Sequence, residues 1–337
     1  MSRLFTAATA LAIAILCSGS VGAVRAATVT RGEQACNIRL DGSIKQGDNA
    51  QVADELAKIQ AGAHVVLCLN SPGGSYNAAL AVIETLLGAD RIVATMVPRG
   101  ANCYSACALI FLAGHSSPRK DEPDRRMDAS STLAFHGPYI KPGEKEYDPV
   151  LVARAYREGM KAIGKLIGLS HEKLFPESLL SIGMEKGPEE FFFIDTIDKA
   201  GKWNITVTGT KVLRLANQKS IFRACANNSI WIGSIAAHDN SRAIGIPFSN
   251  RKYRAALPDF GDEALWTCVA DVYDGGDKGH FLDIHFVTEL DSPDLPGPDE
   301  LERKVRAAGN AVPAPGVPVW YSLDKATKLK QLAGGTN

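Results

Sequence analysis

The sequence predicts a mixed α/β fold with a mainly parallel sheet up to about residue 205, followed by a smaller, mostly β domain. In the first part, apolar runs of strand length alternate with helix-like stretches, an order typical of βαβ units. Residues 65–69 are nearly all apolar, as expected for a strand of a parallel sheet covered on both faces. Beyond Ile205 short β-like runs are separated by Asn, Gly and Asp.

Four stretches of the first part have the composition of strands. Residues 36–42 alternate and end at a glycine, residues 65–69 are apolar, residues 91–97 are rich in β-branched side chains, and residues 132–135 form a further short run. We expect these strands to lie in one mainly parallel sheet.

Helical periodicity separates these strands. Residues 48–60 and 75–87 each carry an apolar stripe on one face. Residues 104–113 are nearly all apolar, which predicts a helix buried on most sides. Residues 148–169 predict a long amphipathic helix, and residues 170–204 predict one or two short ones.

The last part of the chain predicts strands at residues 207–215, 229–235, 266–273 and 281–287. Its two cysteines, Cys225 and Cys268, are expected to pair across this domain. The sequence offers no catalytic motif here, so the role of residues 206–337 is left open.

The first residues predict a secretory signal peptide. Residues 4–16 form an apolar run after Arg3, shorter than the roughly 20 residues that span a membrane. Val24-Arg25-Ala26 fits a small-x-small cleavage site. A retained membrane anchor is the alternative. We therefore expect three parts, a signal peptide at 1–26 and domains at 27–205 and 206–337, in a periplasmic or secreted protein cleaved near Ala26.

Composition excludes several classes of function. The 337 residues include 37 basic and 37 acidic side chains, so the formal net charge is zero. The sequence contains no extended basic tract, so nucleic-acid binding is not expected. Nucleotide binding through a G-x-x-x-x-G-K-[ST] loop is not expected, because that motif does not occur. Paired C-x-x-C zinc spacing does not occur either, and we expect no metal and no cofactor.

Six cysteines remain after signal cleavage, and an even number in an oxidising compartment favours disulfides. A bridge between Cys36 and Cys68 is one expectation. Cys103 and Cys107 are four residues apart and leave three alternatives open. They are buried small hydrophobes, they form a labile disulfide that gates the intervening serine, or Cys103 is itself a nucleophile.

Three short motifs carry the chemistry of the chain. Residues 70–75 read Asn-Ser-Pro-Gly-Gly-Ser between a strand and a helix, where bare backbone amides attract an oxyanion. Residues 103–107 place Ser105 at the start of the apolar helix, and residues 134–138 place His136 after a short strand. An amide cradle, a hydroxyl and an imidazole indicate acyl-transfer chemistry. Taken singly, a serine at this position is more often a helix N-cap.

These motifs, in this order, resemble the proteolytic subunit of the Clp protease, in its exported branch, across residues 36–205. The resemblance implies a Clp/crotonase-like fold, a repeated ββα spiral with a mainly parallel sheet. It also implies roles for five residues, with Ser105 as nucleophile, His136 as general base, and the amides of Gly73, Gly74 and Ala106 as the oxyanion hole. The implied function is that of a serine hydrolase, and more narrowly a peptidase acting on a peptide or other acyl substrate.

The third member of the implied triad departs from the family pattern. The family carries an aspartate after the long helix, whereas residues 183–193 contain only the acids Glu185, Glu189 and Glu190. Glu190 or Glu189 could orient the imidazole, or both could be solvated glutamates. A Ser-His dyad is therefore one expectation, and an inactive binding or assembly module that keeps the fold is the alternative. Crotonase-style thioester chemistry is a third, weaker hypothesis.

Two further stretches leave alternatives open. Residues 118–126 are charged and contain two prolines, which predicts an exposed loop, either a lid over the site or a solvated insertion. The apolar stripe of residues 148–169 could serve a homo-oligomer or pack on its own sheet.

Overall fold

The computed structural model describes residues 27–32, 35–139, 148–168, 174–187, 189–210, 218–231, 244–248, 252–260, 266–274, 280–288, 312–313, 317–318 and 322–334. The predicted signal peptide, residues 1–26, lies outside these ranges. Among the residues described, no helix has the length and apolar character needed to cross a membrane.

The strands, in chain order, are β1 (Thr28–Arg31), β2 (Ile38–Asp41), β3 (Val65–Asn70), β4 (Val93–Val97), β5 (Asn102–Tyr104), β6 (Arg125–Asp128), β7 (Thr132–Phe135), β8 (Phe192–Phe193), β9 (Thr206–Thr208), β10 (Ile244–Phe248), β11 (Lys252–Phe260), β12 (Trp266–Asp274), β13 (His280–Thr288), β14 (Val312–Pro313) and β15 (Val317–Pro318). The helices are α1 (Asp48–Ala57), α2 (Tyr76–Gly88), α3 (Ala106–Leu112), α4 (Pro149–Gly168), α5 (Glu177–Met184), α6 (Ile197–Lys202), α7 (Gln218–Trp231) and α8 (Leu329–Leu332).

The main sheet has the order β1-β2-β3-β4-β6-β9, and every pair except β1 with β2 is parallel. Helices α1, α2 and α3 cover it, so β3 and β4 are buried along almost their whole length. This arrangement confirms the predicted mixed α/β fold with a mainly parallel sheet, and it is consistent with a Clp/crotonase-like fold.

A smaller sheet, in the order β5-β7-β8, stands beside the main one. Strands β5 and β7 are parallel, and they end at Tyr104 and Phe135, directly before Ser105 and His136. A single backbone bridge between Ser71 and Cys103 links this sheet to the end of β3. All three sequence motifs are therefore delivered to the carboxyl ends of neighbouring strands, where parallel sheets place ligand-binding loops.

The apolar predictions for α2 and α3 are confirmed. Every residue of α3 is buried, because its two faces pack on the main sheet and on α2. Leu80, Val82, Ile83 and Leu86 of α2 are also buried. These contacts hold the amino end of α3 against the loop that precedes α2.

Residues 118–126 are only partly the exposed loop that was predicted. Arg125 starts β6, is 1% exposed and donates a hydrogen bond from Nη1 to the carbonyl of Leu174 at 2.8 Å. Asp124 contacts His64, which precedes β3, at 3.3 Å. The loop thus lies at the amino ends of the parallel strands, opposite the motifs, which excludes the lid, one of the two alternatives for this stretch.

The prediction of a strand at residues 229–235 is wrong for its first three residues, which end α7; the rest lies outside the described part of the chain. Trp231 explains the difference. Its ring covers Gly201 of α6, and its indole Nε1 donates to Asp198 Oδ1 at 3.2 Å. This tertiary contact overrides the local β-like composition.

Beyond α7, strands β10 to β13 form an antiparallel sheet, with β14 and β15 both pairing with β13. Strands β12 and β13 agree with the predictions, whereas β10 and β11 were not predicted. Cys225 on α7 is disulfide-bonded. Its partner lies outside the described side chains, so the pairing with Cys268 stays a prediction.

Residues 322–334 pack against the first part of the chain. Leu329 is buried in its core, and its amide donates to the carbonyl of Asp195 at 2.9 Å. The Asp195 carboxylate pairs with Lys328 at 2.6 Å and with Lys199 at 2.8 Å. Burial raises the pKa of Asp195, but these hydrogen bonds and charges outweigh it, so the pKa lies below its ordinary value.

Candidate active site

One cavity of about 490 Å³ is lined by the five residues that the sequence predicted as nucleophile, base and oxyanion hole. They are Gly73, Gly74, Ser105, Ala106 and His136. The cavity opens at the carboxyl ends of β3, β5 and β7. Residues that are 63 positions apart in sequence, Gly73 and His136, are therefore brought to one site by the parallel strands.

Ser105 occupies a sharp turn between β5 and α3. Its backbone has φ 57 and ψ −121, a conformation that non-glycine residues rarely adopt. Strained backbone of this kind is found preferentially at functional sites. Although Ser105 stands at the N-cap position, its side chain makes no capping hydrogen bond. The structure thus rejects the capping interpretation and leaves the hydroxyl at the cavity wall.

The glycines of the first motif lie directly against this turn. Gly73 has φ 97, and a Cβ on it would lie 2.8 Å from Ser105 Cβ and 3.4 Å from the amide nitrogen of Ala106. Gly74 has φ 147, and a Cβ there would overlap the backbone of Ile44. Both positions therefore require glycine, for backbone conformation and for close approach.

The three predicted oxyanion donors are not equivalent. The amide of Gly73 donates to Ser71 Oγ at 3.1 Å and is already engaged. Within the described part of the chain, the amides of Gly74 and Ala106 have no hydrogen-bond partner. Two N–H groups at the cavity wall, one on each side of the Ser105 turn, suit an oxygen that gains negative charge.

His136 follows β7 and is held by one hydrogen bond and by aromatic rings. Its Nδ1 lies 2.8 Å from the carbonyl oxygen of Gly137. Because a carbonyl can only accept, this contact requires a hydrogen on Nδ1, and in the neutral imidazole the lone pair is then on Nε2. The ring of Phe191 meets the imidazole edge to face at 4.8 Å, and Tyr139 lies 5.4 Å away.

Neither candidate acid is found beside this imidazole. The Glu190 carboxylate accepts a hydrogen bond from the amide of Gly187 at 3.4 Å, and neither Glu190 nor Glu189 lines the cavity. Among the described residues, no acidic side chain is hydrogen-bonded to His136, and no hydrogen bond yet joins its ring to the Ser105 hydroxyl. The group that contacts Nδ1 is a backbone carbonyl.

Aromatic side chains form one wall of the cavity, and sequence reasoning did not single them out as site residues. Besides contacting His136, the ring of Phe191 lies tilted against those of Tyr104 and Phe193, with ring-centre distances of 5.7 and 6.0 Å. Tyr76 also lines the cavity, and burial raises the pKa of its hydroxyl to about 12. The run of three phenylalanines at 191–193 was the available sequence signal.

Cys103 and Cys107 form a disulfide with a Cα–Cα distance of 5.2 Å. This excludes Cys103 as a free nucleophile and corrects the alternative that both are unpaired hydrophobes. A second disulfide joins Cys36, two residues before β2, to Cys68 of β3, as expected, with a Cα–Cα distance of 5.6 Å.

The described residues contain no group of three or more His, Cys, Asp and Glu side chains placed to hold a metal ion.

In comparisons with known proteins, the family model described as Clp protease matches residues 22–132. The match supports a relationship with Clp-like proteases and a serine-peptidase-like function, and it includes Ser105 but ends before His136. No curated protein matches the chain.

Proposed function

We propose, from the similarity of residues 22–132 to Clp proteases, that this protein is a serine hydrolase, most simply a peptidase, with Ser105 as nucleophile and His136 as base. One observation carries the proposal above the rest. The Ser105 backbone adopts a rare conformation at a strand-to-helix turn while its hydroxyl caps nothing. That combination is expected of a nucleophile held on a strained turn, as in other serine hydrolases.

In the proposed reaction, Ser105 Oγ attacks the substrate carbonyl carbon while its proton passes to Nε2 of His136. The carbonyl oxygen becomes an oxyanion and accepts hydrogen bonds from the amides of Gly74 and Ala106. The imidazolium then gives its proton to the leaving group, which releases an acyl-enzyme. Water, deprotonated by the same imidazole, hydrolyses the ester and restores the serine.

The proposed catalytic unit is a Ser-His dyad. An orienting acid normally fixes the imidazole tautomer and stabilises the imidazolium. Here the Gly137 carbonyl fulfils the first task, because it accepts from Nδ1 at 2.8 Å. A neutral carbonyl stabilises the imidazolium less than a carboxylate does, so we expect slow turnover. Catalytic hydrogen bonds often form fully only when substrate binds, and we expect a hydrogen bond between Ser105 and His136 to form then.

The proposal is tested with a fluorophosphonate probe. Ser105 Oγ attacks phosphorus, fluoride leaves, and the hydroxyl proton is taken up by the base. Wild-type protein should be labelled, with the adduct on the peptide containing Ser105. Labelling that persists unchanged in Ser105→Ala would refute the assignment. The matched control is Ser75→Ala, because Ser75 is another serine that lines the cavity.

A second candidate is a non-catalytic binding module that retains the cavity. The observation that favours it is the absence, among the described residues, of a carboxylate at His136. A binding module should bind peptides in the cavity without cleaving them and should resist the probe. Hydrolysis of any peptide or ester that is lost in Ser105→Ala would exclude it.

Clp proteases commonly oligomerise and bind peptides, and we propose both properties for this chain. Helix α4 supports the first, since Val152, Tyr156 and Met160 are 49%, 68% and 50% exposed on one side of it. A second copy of the chain would bury this stripe. The molar mass from light scattering should fall in Tyr156→Glu if α4 forms the interface.

We also propose that the protein is exported, with cleavage near Ala26. Disulfides in the described residues support an oxidising compartment. The expected result is a mature N-terminus at Ala27, read by N-terminal sequencing of protein from the periplasm or medium. An intact Met1 in that fraction would contradict the predicted cleavage.

A further inference from the structure

The Cys103–Cys107 disulfide encloses Ser105, with one sulfur at the end of β5 and the other in the first turn of α3. We propose that this disulfide is a positioning brace, which holds the nucleophile turn in the conformation that catalysis needs. The inference rests on the proposed function, because it assigns Cys103 and Cys107 a task in the same site. Neither cysteine is proposed to touch the substrate.

The turn needs a brace because its backbone is strained. Ser105 has φ 57, in a region where a side chain crowds its own backbone, and such residues persist only where the surroundings over-determine them. Freed at either end, the turn would relax toward negative φ. The hydroxyl would then leave its position at the cavity wall.

Hydrogen bonds fix each arm of the turn. On the strand side, the Ser105 amide donates to the carbonyl of Ala134 at 3.0 Å. On the helix side, the Ser105 carbonyl accepts from the amides of Ala108 and Leu109 at 2.9 and 3.3 Å. The disulfide adds a covalent link from the strand arm to the helix arm, across the strained residue.

Burial argues for a permanent brace and against an exposed redox gate. Both Cys103 and Cys107 are 0% exposed. Thiol–disulfide exchange requires a thiolate to reach a sulfur, so access is needed for reduction. A reductant cannot reach these sulfurs while the start of α3 is folded.

The two disulfides close loops of different length, and this difference predicts how much each one stabilises the whole fold. A disulfide stabilises a fold more when it closes a longer loop of the unfolded chain. Cys103 and Cys107 are separated by 4 positions, whereas Cys36 and Cys68 are separated by 32. The short bridge should therefore contribute less to global stability than the long one, although it lies beside the nucleophile.

The two disulfides give a matched experiment on the full mature chain. Cys103→Ala/Cys107→Ala and Cys36→Ala/Cys68→Ala are compared with wild type by fluorophosphonate labelling at several probe concentrations and by thermal unfolding. We expect the first variant to lose tenfold or more in the maximal labelling rate, with the half-saturating probe concentration within twofold of wild type. The second variant should show the larger fall in Tm but label within twofold of the wild-type rate.

Each outcome supports or overturns the brace. Equal maximal labelling rates in wild type and Cys103→Ala/Cys107→Ala overturn the brace. A fall in labelling rate that is fully accounted for by a smaller fraction of folded protein overturns it as well. Wild type that is never labelled overturns the proposed function, and the brace with it. If the double alanine variant does not fold, Cys103→Ser/Cys107→Ser, which removes the disulfide and nearly keeps the side-chain volume, is measured in its place. A maximal labelling rate of this variant equal to that of wild type overturns the brace.

Discussion

Two serines begin two neighbouring helices of this protein and use their hydroxyls differently. Ser75 precedes α2 with φ −67 and ψ 122, and its Oγ accepts a hydrogen bond from the amide of Ala78 at 3.3 Å. Ser105 precedes α3 with φ 57 and ψ −121 and makes no such bond. The first is an ordinary helix cap. The second is the residue that we propose as the nucleophile.

The residues before each serine explain the difference. Ahead of Ser75, Gly73 and Gly74 take the positive φ values of 97 and 147 that the turn requires. Ahead of Ser105 stand Cys103 and Tyr104, so the serine itself takes the positive φ. Glycine adopts such a conformation without crowding a side chain, and serine does not. The strain therefore lies at the residue that we propose reacts.

The largest expected effect comes from removing the imidazole of His136, the proposed base for Ser105. His136→Ala should slow labelling of Ser105 by about 10²–10⁴-fold, the range that general base catalysis contributes. The fold should be kept, since the ring is only partly buried. The labelling rate measures the reactivity of Ser105, and circular dichroism shows whether the fold is kept.

Glu190→Gln is the control for that prediction. Its carboxylate accepts from Gly187 at 3.4 Å and does not line the cavity, so labelling should stay within about twofold of wild type. A loss comparable with that of His136→Ala would mean that Glu190 orients the imidazole and that the site is a triad.

Gly73→Ala should have the next largest effect, because Gly73 lies in the loop before α2 and packs directly against Ser105 at the start of α3. The new Cβ would lie 2.8 Å from Ser105 Cβ and would need φ 97. Displacement of a reacting group by about 1 Å can cost roughly 10²-fold in rate, and we expect a labelling loss of that order. Gly88→Ala, where a Cβ meets nothing within 4 Å, is the matched control and should label normally.

The sequence predicted much of this arrangement, because each part follows from local chemistry. Apolar strands with helices between them specify a parallel sheet, and Gly73 and Gly74 specify a tight turn. The positive φ of Ser105 could not be predicted, since serine before an apolar helix is also the pattern of a cap. The pairing of Cys103 with Cys107 stayed open because spacing alone does not determine oxidation. The aromatic contacts of His136 depend on Phe191, which comes from a distant part of the chain.

A smaller effect tests the strain directly. Ser105→Gly should be more stable than Ser105→Ala by about 1 kcal/mol or more, because glycine adopts φ 57 without crowding a side chain. Chemical denaturation of the two inactive variants measures the difference in free energy of unfolding. Equal stabilities would show that the turn stores no strain and would remove the main contrast between the serines.

The smallest effect is expected at the serine that caps. Ser75→Ala removes the hydrogen bond to the Ala78 amide and should cost about 1 kcal/mol of stability, as other lost N-caps do. Ser75→Asp, which can restore a cap, should recover most of this loss, and labelling of Ser105 should stay near wild type in both. Ser75 also lines the cavity, so a large labelling loss in Ser75→Ala with stability unchanged would reverse the comparison. The hydroxyl of Ser75 would then contribute to the reaction, and its hydrogen bond to α2 would be incidental.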